Sequence, residues 1–168
     1  MDHTSLLVQA IAVGYVAFSL FGLLVISFPS NRQSMFEERG IESAPMSTDT
    51  GIDLVTYSPK LPHPITVQVK TNLQSKPGGG KGKLALDWWV PNDTPAHYVA
   101  LVDLSSESIW FMSPAELRIH AQQQPAGRLH IYMYTDTSAR PRRSDRLAHL
   151  HEFEHFKLAN RVSAVYGT

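Results

Sequence analysis

Asp53, Gln68 and Lys70 are the residues of this chain whose types and order could do chemistry. They fall within GIDLVTYSPKLPHPITVQVKTN, residues 51–72, which reads as two short strands over 52–57 and 65–71. Side chains alternate along a strand, so Thr66, Gln68 and Lys70 share one face while Ile65, Val67 and Val69 take the other. An acid and an amide oxygen beside an ammonium form a donor set for metal-assisted phosphodiester hydrolysis. The Asp53 carboxylate and the Gln68 carbonyl oxygen suit a hard cation such as Mg²⁺. Lys70 can orient an attacking water or offset the charge that builds on the phosphate. The plainer alternative is a hairpin with a polar outer face, because a D…QxK string is short and such matches arise by chance.

The elements that must hold these residues follow from the pattern on either side. After the hairpin comes KPGGGKGK at 76–83, a turn rich in glycine and lysine that lacks the GxxxxGK[ST] spacing of a phosphate-binding loop. It is either a mobile hairpin tip or a loop whose Lys76, Lys81 and Lys83 touch a nucleic-acid backbone. Strands are expected at 84–90, 98–104 and 109–112. Ser113, Pro114 and Glu116 then supply a cap, a first-turn proline and a capping-box partner, so a helix should run from there to the glutamines at 122–124. RLHIYMY at 128–134 gives another strand, a basic loop follows with Arg140, Arg142 and Arg143, and a final helix is expected over 144–165.

Residues 4–31 carry no charge and are long enough to cross a bilayer. Gly22 and the β-branched run 23–28 before Pro29 break that stretch, and no basic cluster flanks it. A helix of about 18 residues followed by a buried strand is favoured over a membrane anchor. Residues 31–50 are polar and read as a long surface connection with one helical turn at 34–39.

Composition bounds the rest. The 168 residues, 43% of them apolar, suffice for one domain with its own core. Fifteen basic and fifteen acidic residues cancel, so binding to phosphate must come from local patches. The absence of cysteine excludes disulfides, thiolate metal sites and cysteine nucleophiles, and is compatible with the cytoplasm. HEFEH at 151–155 satisfies the HExxH pattern of zinc hydrolases if it lies on an α-helix. Only thirteen residues follow His155, none of them a third ligand, and the same histidines can simply edge a packed helical face. Most of the other histidines are isolated, and none is assigned a role.

GIDLV with Asp53, VQVKT with Gln68 and Lys70, and YVALVDLSSESIWFMSPAEL together resemble the PD-(D/E)XK nuclease superfamily, in the branch of small members that includes intron-encoded homing endonucleases. The resemblance spans about residues 5–120, with a vaguer match over 128–165. It implies a single α/β domain over 1–168 with a restriction-endonuclease-like core, a mixed sheet of about five to six strands flanked by helices. It further implies a Mg²⁺-dependent (or Mn²⁺-dependent) DNA endonuclease. Asp53, Gln68 and Lys70 would be catalytic, Asp53, Gln68 and Val69 would ligate the metal, and Lys76, Lys81, Lys83, Arg140, Arg142 and Arg143 would contact DNA. A homo-oligomer, dimer or tetramer, goes with it. Gln68 stands where the family usually has a carboxylate, and Gln9 where it often adds a first-helix glutamate. A catalytically impaired fold member that only binds DNA or a protein partner is therefore the alternative, and a zinc hydrolase the remote one.

Overall fold

A computed structural model of the chain describes residues 41–48, 50–78, 82–141 and 145–167. The backbone groups into two compact units, Met1–Glu42 and Ser43–Thr168, and the described residues beyond Glu42 belong to the second. The expected N-terminal helix, the strand at 23–28 and the turn at 34–39 lie outside the described residues. Among the described residues, no helix is long and apolar enough to cross a membrane.

The architecture is mixed α/β. In chain order the elements are β1 (Glu42–Pro45), β2 (Leu54–Tyr57), β3 (Ile65–Asn72), β4 (Lys76–Pro77), β5 (Leu84–Pro91), β6 (Tyr98–Asp103) and β7 (Ser108–Met112). Then follow α1 (Pro114–His120), β8 (Arg128–Tyr134), a 3-10 helix (Leu150–Phe156) and α2 (Leu158–Tyr166). The single sheet expected from the sequence is instead two. One has five strands in the order β1-β2-β3-β6-β7, and the other has three in the order β4-β5-β8.

The alternation of side chains explains the division. Leu86, Trp88 and Val90 of β5 and Leu129, Ile131 and Met133 of β8 point one way, and all are buried. They meet Val99 and Leu101 of β6, Trp110 and Met112 of β7, and Leu117 of α1 in one apolar cluster. Two sheets each with one apolar face bury both by packing on each other. β6 is buried almost throughout, as a central strand covered on both faces must be. It runs parallel to β3, and the chain makes the required crossover through the second sheet rather than through a helix.

α1 starts as the sequence predicts. Glu116 donates its backbone N–H to the Ser113 hydroxyl at 3.3 Å, and Ser113 returns its own N–H to the Glu116 carboxylate at 2.7 Å. The helix stops at His120, short of the expected 122–124. Gln122 instead ties two segments together, its buried amide accepting from Tyr132 N–H and donating to the carbonyls of Tyr132 and Leu147.

The single C-terminal helix expected over 144–165 is broken. Lys157 is extended and bridges to Trp110 on the edge of β7, which separates the 3-10 helix from α2. Within α2, Leu158, Val162 and Tyr166 recur four apart and are buried. The Tyr166 hydroxyl meets Thr56 Oγ1 at 2.9 Å, and Ser58 donates to the Tyr166 carbonyl at 3.2 Å, tying α2 to β2. Burial raises the Tyr166 phenol above its ordinary pKa, with the Thr56 contact acting against it.

Candidate functional site

Asp53 sits where the β2–β3 ladder comes to an end. The ladder pairs Leu54 with Val67, Val55 with Thr66 and Thr56 with Ile65. Asp53 also donates its N–H to the Val67 carbonyl at 2.9 Å, so two residues of this strand oppose one. That bulge stops the regular pairing and re-aims the Asp53 side chain. The carboxylate then takes the place of the missing strand: Asp53 Oδ2 accepts from Val69 N–H at 2.6 Å. The N–H and C=O of a strand residue face the same neighbour, so the Val69 carbonyl is turned toward the edge that Asp53 occupies.

Gln68 is 4% exposed, and its Oε1 is buried without a hydrogen-bond partner among the described residues. Leaving such an oxygen unsatisfied costs about 1–3 kcal/mol. Its burial follows from register, since β3 pairs Gln68 with Val99 and Lys70 with Leu101, both in the inter-sheet core. Gln68 and Lys70 thus lie on the face that looks into the space between the two sheets. Lys70 stands two residues, about 6.7 Å, further along β3 and is partly buried.

Gly51 makes the close approach possible. Its φ is +78°, and a Cβ there would lie 3.2 Å from Pro95 Cδ and 3.6 Å from Gln68 Nε2. A larger residue would be strained by its backbone and crowded by its neighbours. Among the described residues, the donor chemistry on this stretch is one carboxylate, one peptide carbonyl and one amide oxygen without a hydrogen-bond partner. That set fits a hard divalent cation with oxygen ligands, completed by water and phosphate. Among the described residues, no cluster of three or more His, Cys, Asp or Glu side chains is placed to hold a metal.

The residues expected to contact DNA are placed unevenly. Lys76 is exposed on β4. Lys83 is engaged with Asp136 at 3.0 Å and Ser138 Oγ at 3.1 Å. Hydrogen bonds from Ser138, then the Lys83 ammonium, pull the Asp136 carboxyl down to about 2. Arg140 is exposed on the loop that follows, while Lys81, Arg142 and Arg143 lie outside the described residues.

No family model matches the chain, and no curated protein matches it. Among solved structures it is similar to a bacterial homing endonuclease, at 16% identity over 80% of this chain and 88% of that one, with a TM-score of 0.44. A likeness of that depth assigns neither family nor activity.

His97 has a position that its sequence context did not signal. Its Nδ1 lies 3.0 Å from Thr66 N and 2.8 Å from Thr66 Oγ1, and its own N–H donates to that hydroxyl at 3.1 Å. Thr66 shares the face of Gln68 and Lys70, so His97 pins the start of β6 beside the strand that carries them. Only the register makes this visible.

HEFEH lies on the 3-10 helix, which corrects the α-helical reading. At three residues per turn, positions four apart are separated by about 120°, so His151 and His155 do not share a face. Glu152 is not available as a base either. Its carboxylate accepts from Ala148 N–H at 2.8 Å and His149 N–H at 2.7 Å. The His149 bond, then the Ala148 bond, hold its pKa below the usual range. Glu152 caps the start of the 3-10 helix.

Proposed function

We propose that the chain is a Mg²⁺-dependent (or Mn²⁺-dependent) DNA endonuclease of the PD-(D/E)XK type, with Asp53, Gln68 and Lys70 as its catalytic residues. The observation that carries this reading is the bulge at Asp53. It brings a carboxylate onto Val69, next in sequence to a buried amide whose oxygen has no hydrogen-bond partner among the described residues. Asp53, Gln68 and Val69 would hold the metal, which when bound polarises the scissile phosphate and acidifies a water.

The chain's own groups do the rest. The Val69 N–H fixes the Asp53 carboxylate, so its second oxygen keeps one direction. Lys70 presents its ammonium from the Gln68 face, where it neutralises charge on the phosphate and orients the attacking water. The water's oxygen bonds to phosphorus and releases a proton to solvent as the bond to the leaving sugar oxygen breaks, and that oxygen takes up a proton from solvent. Lys76, Lys81, Lys83, Arg140, Arg142 and Arg143 contact flanking phosphates, Lys83 after exchanging Asp136 for DNA. Action as a dimer or tetramer in the cytoplasm belongs to the same proposal.

A second reading is favoured by the single carboxylate that the described residues bring to Val69: a nuclease fold that binds DNA without cutting it. One acid binds Mg²⁺ more weakly than two, because ligand charge supplies much of a hard cation's affinity. Incubation with supercoiled and branched DNA in Mg²⁺ or Mn²⁺ separates the two. Cleavage lost in Lys70→Ala supports the enzyme, whereas salt-sensitive binding without cleavage in either metal selects the module.

A further inference from the structure

The outer face of the three-stranded sheet carries a feature that phosphodiester hydrolysis does not use. The residues of β5 and β8 that point away from the core include Asp87 and Trp89 on one strand and Arg128, His130, Tyr132 and Tyr134 on the other. Their rings form a continuous run. Trp89 stacks on His130 with centroids 4.0 Å apart and planes 7° from parallel. His130 meets Tyr132 at 5.5 Å, and Tyr132 meets Tyr134 at 5.2 Å. Trp89 is 40% exposed, high for so large an apolar ring.

Cations bracket the run. Arg128 is exposed at one end of β8, and at the other end Lys76 pairs in register with Ala85, which itself faces Tyr134. From Arg128 to Tyr134 the strand spans roughly 20 Å. A groove of about 450 Å³ lies at the Lys76 end of the stripe, lined by Lys76, Lys83, His130, Tyr132 and Tyr134 among others, and Trp89 and Arg128 lie beyond it. The one acid within the stripe, Asp87, has its carboxylate 3.3 Å from His130 Nε2.

We infer that this face is a stacking platform for the unpaired bases of single-stranded DNA. Aromatic faces take bases of any sequence, and cations at both ends of the stripe suit a backbone running along it. Duplex DNA has its bases already stacked and cannot use exposed rings in this way. The choice of DNA rests on the endonuclease reading, whereas the platform and the metal site occupy different sheets. The test can therefore separate them.

The test is binding of a labelled oligothymidylate of about ten nucleotides to the full chain in EDTA, followed by anisotropy and by tryptophan emission. Trp88 and Trp110 are buried, at 2% and 1% exposure, so quenching by a bound base reports on Trp89. The expected results are quenching by oligothymidylate and little by an abasic oligomer of equal length. Trp89→Ala should weaken binding roughly tenfold, and Trp89→Phe should restore most of it. Asp87→Asn should tighten binding, since it removes a negative charge without removing a ring. Equal binding of the abasic oligomer, or an unchanged affinity in Trp89→Ala, would overturn the proposal. Binding that persists in Lys70→Ala while cleavage is lost leaves both proposals standing. Base-dependent binding by a chain that never cleaves removes the endonuclease reading alone.

Discussion

Replacing Gln68 with glutamate puts the metal reading of the site under direct strain. The position is 4% exposed and its oxygen has no hydrogen-bond partner among the described residues, so a carboxylate there has only the Lys70 ammonium further along the same face, or a bound cation, to compensate it. Buried carboxyls have pKa values raised by as much as 3–5 units, and a rise of about two units costs about 3 kcal/mol at 1.36 kcal/mol per unit. The sign follows from which state ionises first. Below about pH 4 the side chain is protonated in both folded and unfolded chains, and the variant loses nothing by linkage. As the pH rises the unfolded chain ionises first, so stability falls over about pH 4 to 6 and stays low above that. At pH 8 the midpoint of thermal unfolding should lie roughly 10 °C below that of the natural chain. Mg²⁺ should then restore most of it, since a ligand at one hundred times its Kd returns about 2.7 kcal/mol. The assay is a melting series at pH 4, 6 and 8, with and without Mg²⁺, at constant ionic strength. A deficit at pH 8 that Mg²⁺ does not reduce would refute the reasoning and make Gln68 an ordinary core amide.

Gly51→Ala should destabilise the fold by about 1–2 kcal/mol in denaturant titration, because its φ of +78° lies in the left-handed region. It should also lower cleavage, since the loop leads into Asp53. For Glu116, burial raises the pKa, but bonds from Arg161 and Ser113 outweigh it and hold the carboxyl below its usual range. A depressed carboxyl contributes stability that is present above its unfolded pKa and lost as the pH falls through the folded value. Glu116→Gln should therefore cost about 1–2 kcal/mol at pH 7 by urea unfolding, with the difference shrinking below about pH 4. The paired substitution His151→Ala and His155→Ala should leave metal-dependent cleavage unchanged, and the natural chain should purify without stoichiometric zinc by elemental analysis.

Much of the local structure was legible because it depends on neighbouring residues. The α1 cap follows from Ser113, Pro114 and Glu116 alone, the strand around Ile131 follows from alternation, and the one around Leu101 from an apolar run bounded by turns. The division into two sheets was not legible, because alternation states that β5 has an apolar face and not which strand it pairs with. The C-terminal helix misled for a similar reason. Lys157 leaves the helical path to meet Trp110, a partner distant in sequence. At the candidate site, the shared face of Gln68 and Lys70 was readable from their spacing. The bulge that turns Asp53 onto Val69, the missing partner of Gln68 Oε1 and the anchoring of Thr66 by His97 all depend on register between strands. No single segment encodes that.

The central claim is tested most directly by cleavage of supercoiled plasmid by the purified full chain in Mg²⁺ or Mn²⁺, compared with Asp53→Asn and Lys70→Ala. Nicked or linear product is expected from the natural chain, none in EDTA, and a loss of at least about a hundredfold in either variant. Cleavage that persists undiminished in Lys70→Ala, or none by the natural chain in either metal, would contradict it.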